Sequence, residues 1–190
     1  RSTLFPYTTL FRSKDMGVDF LAFSGHKMLA PTGVGVLYGK YEILQSLEPY
    51  YQGGGSNSRY NPQGKISYKN TPQRFESGTL AIESILGLGA ALEYINDIGL
   101  KNIIEYELEL SKYLVSKMLE LDTVTVYNPN TESGIVSFNV NGIFSQDVST
   151  YLDTQGVQVR SGHHCSKIIN GVIDAYDTVR ASVYFYNTYE

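Results

Sequence analysis

Two apolar stretches near the start of the chain predict neighbouring strands. Residues 17–24, GVDFLAFS, are mostly apolar, and a turn bracketed by Gly33 and Gly35 leads into a second apolar stretch at 34–38. A continuous apolar run is typical of a strand in a parallel sheet that is covered on both faces. We therefore expect the first strand to be buried on both sides, and a short helix to follow at 43–47.

The middle of the chain changes from an irregular segment to two helices. Residues 51–73 are rich in Gly, Asn, Ser and Tyr and have no apolar period, which predicts a long loop or a hairpin. Apolar residues then recur at helical spacing over 81–98 and, after Gly99, as far as about residue 121. Four apolar side chains share one face of the second helix: Ile103, Leu110, Leu114 and Met118.

The last third of the chain alternates between strands and a helix. Strands are predicted at 123–127, 134–140, 157–160 and 177–183, and a helix at 145–155. The order of the elements predicts an α/β chain with a boundary near residue 90. Residues 91–190 then form a smaller α+β domain.

Composition and charge narrow the class of protein. The chain is 42% hydrophobic and 18% charged, which is typical of a globular protein. A formal net charge of −4 gives no basic surface for nucleic acid, and no apolar run approaches the ~20 residues that span a bilayer. The single cysteine excludes an internal disulfide and fits a reducing compartment. These features predict a cytoplasmic protein that binds neither nucleic acid nor membrane.

The first motif with candidate chemistry is Ser24-Gly25-His26-Lys27, directly after the first predicted strand. Open α/β sheets bind their ligands at strand ends, and a lysine amine there is suited to form an imine with a carbonyl cofactor. A surface lysine without function is the alternative. This motif alone does not decide between the two.

The second motif is Arg160-Ser161-Gly162-His163-His164-Cys165, with Arg180 further along the chain. Cationic and polar neighbours favour the thiolate form of a cysteine, which is the nucleophile. Metal ligation is the alternative, but three consecutive residues do not easily surround a tetrahedral ion, and there is no C-x-x-C partner. We therefore expect a nucleophile and no metal site.

Together the two motifs resemble those of the cysteine desulfurases, pyridoxal-phosphate (PLP) enzymes of the class V aminotransferase family. The His-His-Cys form is similar to the branch that serves the Suf iron–sulfur assembly system. The resemblance extends over residues 14–190. It implies the type I fold of PLP-dependent transferases, with 14–90 as the C-terminal part of the large PLP-binding domain and 91–190 as a small C-terminal domain truncated at its end.

The resemblance also implies a role for each candidate cofactor residue. Lys27 binds PLP covalently, while Ser24 and His26 contact its phosphate. The run from Arg74 to Thr79, RFESGT, resembles the segment that reaches the other subunit's cofactor phosphate in a homodimer. Gly78 and Thr79 are therefore expected to bind cofactor across the dimer.

For the substrate, the resemblance implies that Arg180 holds the α-carboxylate of L-cysteine, with Arg160 and His163 close by. For either arginine, a surface salt bridge is the alternative role. Cys165 is implied to take the substrate sulfur as a persulfide while L-alanine is released. A mobile loop at 161–168 is expected to carry the sulfur.

The persulfide is implied to pass to a sulfur-acceptor protein of the SufU or SufE kind for iron–sulfur cluster assembly. A selenocysteine lyase or another class V aminotransferase is an alternative, because both share the lysine. A non-catalytic sulfur-relay protein is a third, although a relay needs no imine-forming lysine. A fourth is an inactive fragment without the N-terminal half of the PLP site. Residues 1–13, RSTLFPYTTLFRS, look like a translated sequencing adapter and are expected to be a non-native leader.

Overall fold

The computed structural model describes residues 16–189, apart from the side chains of 169 and 170. It divides into two compact units, one ending at Ile98 and the other beginning at Gly99. The sequence places the boundary near residue 90, but that residue is inside the helix Ile82–Ile98, which continues unbroken to the division. The predicted leader, 1–13, lies outside the described residues.

Among its described residues, the first unit has two separate hairpins and two α-helices whose bounds are defined. Its strands are β1 (Phe20–Ser24), β2 (Gly35–Gly39), β3 (Asn57–Tyr60) and β4 (Ile66–Tyr68), and its helices are α1 (Tyr41–Ser46) and α2 (Ile82–Ile98). Two 3-10 turns, Gly25–Met28 and Gln73–Phe75, lie between these elements. β1 pairs with β2 and β3 with β4, both antiparallel.

The expectation of a parallel sheet around β1 is wrong for the described residues. β1 forms an antiparallel two-stranded sheet with β2, so neither strand has a second neighbour there. Consequently Phe20, which is predicted to be covered, is 44% exposed, and Leu37 on the neighbouring strand is 63% exposed. Helix α2 covers part of this hairpin, since Leu88 and Ala91 are buried in one cluster with Phe23.

The second unit is a four-stranded antiparallel sheet with three helices. Its elements are α3 (Leu100–Leu119), β5 (Val124–Val126), β6 (Ile135–Val140), α4 (Ser145–Thr154), β7 (Arg160–Gly162), α5 (Lys167–Val172) and β8 (Thr178–Ser182). The strands lie in the order β5-β6-β8-β7. No helix within residues 16–189 is both long and apolar enough to cross a membrane.

Helices α3 and α4 cover the same face of this sheet. Phe138 of β6, Val148 of α4 and Val179 of β8 form the buried cluster, and Met118 of α3 packs against it. Because side chains alternate along a strand, the neighbours of Val179 point to the other face. The face opposite to α3 and α4 therefore carries Arg180 together with the residues aligned with it on neighbouring strands.

Two predicted boundaries in this unit differ from the structure. The strand predicted at 157–160 begins only at Arg160, because the ladder with β8 extends over Arg160–Gly162. The expected loop at 161–168 is shorter, since its first two residues belong to β7 and its last two to α5. The helix predicted at 145–155 is confirmed as α4.

Candidate active site

The lysine motif forms a tight turn at the end of β1. Ser24 is the last residue of the strand, and the 3-10 turn Gly25–Met28 follows directly. The Gly25 N–H donates to the carbonyl of Val34 at 2.9 Å, and a Cβ at Gly25 would lie 2.7 Å from Val34 Cγ1. Only glycine therefore allows the turn to lie so close to the start of β2. Leu29, with φ 64°, ends the turn in the left-handed region, which side chains rarely adopt.

Three polar side chains of this turn have no partner within residues 16–189. His26 and Lys27 are exposed and Ser24 is half-buried, and none of the three forms a hydrogen bond or an ion pair there. The turn thus presents a hydroxyl, an imidazole and a primary amine on four consecutive residues. The first two are hydrogen-bonding groups suited to an anion, and the third is a nucleophile when deprotonated.

A second candidate segment, Gly78 and Thr79, lies against the Gly-rich turn of the first unit. The Gly78 N–H donates to the carbonyl of Gly54 at 2.7 Å, and Gly78 has φ 81°. A Cβ at Gly53 would lie 3.2 Å from Cβ of Ser77, so the two segments are in close contact. Thr79 is exposed, and its hydroxyl bonds to no described residue.

Arg74 anchors the segment that leads to Gly78. Its Nη1 donates to the carbonyls of Gln45 at 2.9 Å and Leu47 at 3.3 Å, and its Nε donates to the carbonyl of Lys69 at 3.1 Å. One guanidinium therefore joins the C-terminal end of α1 to the start of this segment. This use of a planar fork with several donors is specific to arginine.

In the second unit, two arginines are paired across β7 and β8. The antiparallel register aligns Arg160 with Arg180 and Gly162 with Thr178, on the face opposite to Val179 and the helices. Neither guanidinium forms an ion pair with a carboxylate in the described part of the chain, and Arg180 Nε is buried without an acceptor. The strand pair thus carries two positive charges that no carboxylate among residues 16–189 neutralises.

Cys165 lies on a turn that directly follows β7. The N–H of Ser166 donates to the carbonyl of His163 at 2.8 Å, which closes a four-residue turn. His164 and Cys165, the two central residues, have φ 50° and 62°, both in the left-handed region. The thiol is free and exposed. The turn therefore presents the thiol to solvent immediately beyond the strand that carries Arg160.

His164 connects this turn to β8. Its Nε2 lies 3.0 Å from both the carbonyl oxygen and Oγ1 of Thr178, a residue that is 2% exposed. Burial lowers the pKa of His164; the hydrogen bond to Thr178 opposes that effect, and the positive charges of Arg180 and Arg160 add to it. The imidazole is therefore held in its neutral form more strongly than an exposed histidine.

The structure brings the predicted site residues together in three groups. Ser24, His26 and Lys27 share one turn of the first unit; Gly78 and Thr79 lie in another segment of that unit; Arg160, His163, Cys165 and Arg180 lie on β7, β8 and the turn of the second unit. The His163 ring packs edge-on against Tyr176, with 5.5 Å between ring centroids.

Sequence reasoning missed the contact between His164 and Thr178. The histidine doublet indicated polar surroundings for the cysteine, but it did not show which of the two rings bonds to the sheet. Thr178 has no signal of its own beyond its place in the predicted strand that contains Arg180. Which residues β7 aligns with β8 depends on the path of the chain between them.

Comparison with known proteins shows the family of this chain. The sequence profile described as aminotransferase class-V matches residues 11–190. The chain belongs to the class V aminotransferase family. The chain spans less than half the length of the curated relatives that it matches.

Two relatives of the class V chain carry the name probable cysteine desulfurase. The one from Halalkalibacterium halodurans is 44% identical over 177 residues, which cover 93% of this chain and 43% of the relative. The one from Synechocystis is 43% identical over 176 residues, which cover 90% of this chain and 42% of the relative.

Solved structures with the same fold have related names. An apo cysteine desulfurase from Thermococcus onnurineus superimposes with a TM-score of 0.87 at 39% identity, over 93% of this chain and 44% of that one. The cysteine desulfurase CsdA from Escherichia coli, in an S-sulfonic acid form, gives a TM-score of 0.86 at 31% identity, over 92% and 43%. The class V chain thus has part of the fold of PLP-dependent cysteine desulfurases, as the sequence predicts.

Proposed function

We propose that this chain is part of a PLP-dependent cysteine desulfurase, which converts L-cysteine to L-alanine and leaves a persulfide on Cys165. The observation that carries the proposal is the aligned pair Arg160 and Arg180 on the strands beside a free, exposed thiol. Neither guanidinium has a carboxylate partner among the described residues. Such a pair suits a substrate that brings a carboxylate. The names of the curated relatives support the same reaction.

The Lys27 turn has the donor set that PLP requires. The cofactor has an aldehyde, which needs an amine, and a phosphate, which needs hydrogen-bond donors. Lys27 supplies the amine, and Ser24 and His26 supply hydrogen-bond donors; the side chains of all three lack a partner among residues 16–189. We assign these three residues to the cofactor, and Gly78 and Thr79 to the cofactor phosphate of the partner subunit in a homodimer.

When bound, PLP supplies an electron sink for the charge that develops at the substrate α-carbon. The residues of this chain have three tasks. Lys27 Nζ takes the α-proton and returns it. Arg180, with Arg160, holds the α-carboxylate by parallel hydrogen bonds that lysine does not reproduce. His163 borders the substrate on the same turn as the thiol.

Cys165 is the sulfur acceptor. Its thiolate attacks the substrate sulfur, so that an S–S bond forms while the substrate C–S bond breaks. The electrons of the broken C–S bond stay with the β-carbon, which takes up the proton that the substrate thiol loses. The product then leaves as L-alanine, and the sulfur remains as a persulfide on Cys165. Attack requires the thiolate to come within about 3–3.5 Å of the substrate sulfur.

The exposed position of the thiol suits delivery to a second protein. We propose a sulfur acceptor of the SufU or SufE kind, with iron–sulfur cluster assembly as the use of the sulfur and the cytoplasm as its location. A persulfide has a polarised outer sulfur, which an acceptor thiolate attacks by the chemistry of thiol–disulfide exchange.

The test is alanine release from L-cysteine with PLP present. Because the chain spans 43% of the relative from H. halodurans, the assay uses the chain completed with the flanking sequence of that relative. We expect alanine and a persulfide on Cys165, and we expect Cys165→Ala to abolish both while PLP stays bound. The Arg180→Lys variant is expected to raise KM for cysteine more than it lowers kcat.

Three results would contradict the proposal. Alanine release that survives Cys165→Ala indicates a lyase in which the cysteine has no part. Alanine from L-selenocysteine but not from L-cysteine indicates a selenocysteine lyase. A keto acid in place of alanine indicates an aminotransferase, which would share only the lysine chemistry.

A further inference from the structure

The turn that carries Cys165 has a backbone shape that its own sequence does not favour. Turns with positive φ at both central residues normally have Asn, Asp or Gly there, because a Cβ is crowded in the left-handed region. Here the central residues are His164, with φ 50°, and Cys165, with φ 62°. Each such residue is strained, so contacts outside the turn must hold it.

The contact that holds the turn comes from the side chain of His164. Its Nε2 lies 3.0 Å from the carbonyl oxygen of Thr178 and 3.0 Å from its hydroxyl oxygen. A carbonyl oxygen only accepts hydrogen bonds, so Nε2 must carry the proton and donate it. Thr178 is buried and belongs to β8, which makes it a rigid attachment point.

The second ring nitrogen, Nδ1, indicates which protonation state of His164 suits this contact. His164 Nδ1 is buried and has no hydrogen-bond partner in the described structure, which suits a nitrogen without a proton. The charged and titratable groups around the ring are Arg160 on β7, Arg180 on β8 and His163 on the turn itself, and all of them oppose a positive charge on His164. Protonation at Nδ1 would place a buried donor beside two arginines.

We propose that His164 is a positioning residue, whose neutral imidazole, donating from Nε2 to Thr178, holds the turn that carries Cys165 against strand β8. It acts on the thiol through the backbone and makes no contact with the reacting atoms. Its effect on sulfur transfer rests on the proposed function, whereas the attachment of the turn is a property of the chain alone. Loss of the Nε2 donor frees the Cys165 turn from the sheet.

The first measurement is the protonation state of the imidazole. The chain has three histidines, so ¹⁵N-edited spectra of the ring nitrogens are simple, and the loss of one set of signals in His164→Gln assigns them. We expect a neutral ring with the proton on Nε2 at pH 7. The same ring is expected to titrate below the ordinary range of histidine. A proton on Nδ1 at pH 7 would overturn the proposal.

The second measurement is the mobility of a nitroxide attached to Cys165, the only cysteine of the chain, by electron paramagnetic resonance. We expect an immobilised component in the spectrum of the unsubstituted chain. It should be retained in His164→Gln, because the amide still donates a hydrogen bond. It should be lost in His164→Phe, which keeps a ring but has no donor. The His164→Gly variant removes the side chain but relieves the positive φ. Loss of the component there as well shows that the contact, and not the backbone preference, holds the turn.

A pH titration of the labelled, unsubstituted chain needs no substitution and remains informative if a variant fails to fold. The immobilised component is expected to fall as the His164 signal titrates, and to stay constant over the same range in His164→Gln. Equal mobility of the label in the His164→Phe and unsubstituted chains, or no change through the titration, would overturn the proposal. None of these measurements uses PLP or substrate. If the label is immobilised as expected but the completed, unlabelled chain releases no alanine, then only the proposed function is refuted.

Discussion

Arg160 and Arg180 are aligned across β7 and β8 as a pair of like charges on one face of the sheet. Directly opposed like charges destabilise an antiparallel strand pair. Neither is neutralised by a carboxylate within the part of the chain that the structure describes. An arrangement that opposes folding at this point is expected of a binding site, where an anionic ligand supplies the missing charge.

The first prediction is that neutralising one member of the pair stabilises the free chain. Arg160→Gln is expected to raise the free energy of unfolding by about 0.2–1 kcal/mol at low ionic strength, because the repulsion is removed. In about 1 M salt, where the screening length is ~3 Å, the gain should largely disappear. Urea denaturation at the two salt concentrations measures both values.

The matched control is Arg59→Gln, since Arg59 is exposed on β3 and is aligned with Ser67 and not with a charge. Its effect is expected to stay within about 0.5 kcal/mol at either salt concentration. A loss of stability in Arg160→Gln at low salt would show that the guanidinium has a favourable partner, and the anion site would lose its support.

A second prediction concerns Gly25, the glycine that begins the turn containing Lys27. A Cβ at Gly25 would meet Val34 Cγ1 at 2.7 Å and the Val34 carbonyl oxygen at 3.0 Å. We expect Gly25→Ala to cost about 1–3 kcal/mol of unfolding free energy, the usual effect of overpacking. Gly54→Ala is the control, because a Cβ there has open space and Gly54 has no positive φ. Equal stability of the two variants would mean that the turn can move away from β2 without loss.

The helices show which features of the fold were accessible from sequence. Residues 81–98 and 100–121 have apolar residues at helical spacing, and α2 and α3 match them closely. α5 was not predicted: its six residues are too few to show a helical period, and two of its apolar residues, Ile168 and Val172, are 88% and 80% exposed. The neighbours of β1 were predicted wrongly, since an apolar run indicates coverage but not which element supplies it.

The candidate site also has some features that the sequence predicts and others that it does not. Ser24, His26 and Lys27 are neighbours in sequence, so one motif was enough to place them on one turn. The alignment of Arg160 with Arg180 is different, because it depends on how the intervening turn and α5 return the chain to β8. No local pattern contains that information. For the same reason the bond from His164 to Thr178 became visible only in the folded chain.

A third prediction tests how Arg74 holds the segment before Gly78. Its guanidinium reaches three carbonyls, with Gln45 and Lys69 at 2.9 and 3.1 Å, from two different nitrogens. A lysine ammonium is a single point and does not span them. We expect Arg74→Lys to lower the unfolding free energy by about 1–2 kcal/mol. Limited proteolysis is expected to cut the variant within 69–79 sooner than the unsubstituted chain.

The control for the Arg74 prediction is Arg59→Lys, an exposed site at which the same change should leave both stability and proteolysis unaltered. If Arg74→Lys behaves like the control, then a single charge near the end of α1 is sufficient. The several hydrogen bonds would in that case contribute little.

The last prediction concerns Glu107 of α3, a half-buried acid outside the proposed site. Burial raises the pKa of its carboxyl, and Oε1 has no hydrogen-bond partner in residues 16–189. Below the ordinary value of 4.5, the folded and unfolded chains are both protonated there. As the pH rises, the unfolded chain loses this proton at a lower pH than the folded chain. The stability that neutral Glu107 contributes is therefore lost as the pH rises to the raised pKa of the folded state.

Glu107→Gln keeps the shape of the side chain without its charge. We therefore expect the variant and the unsubstituted chain to unfold alike near pH 4, and the variant to be more stable at pH 7. The gain should be less than about 1 kcal/mol, because the half-buried carboxyl is partly screened by solvent. Thermal unfolding over this pH range measures the difference.

The control for Glu107 is Glu109→Gln on the same helix. The Glu109 carboxylate hydrogen-bonds the hydroxyl of Tyr189, which is the main reason why the pKa of Tyr189 is raised to about 12. Because that carboxylate already has a hydrogen-bond partner, removal of its charge removes no unfavourable interaction. Glu109→Gln should therefore not raise the stability at pH 7. A gain from Glu109→Gln that equals the gain from Glu107→Gln would assign the effect to the net charge of the chain and not to the burial of Glu107.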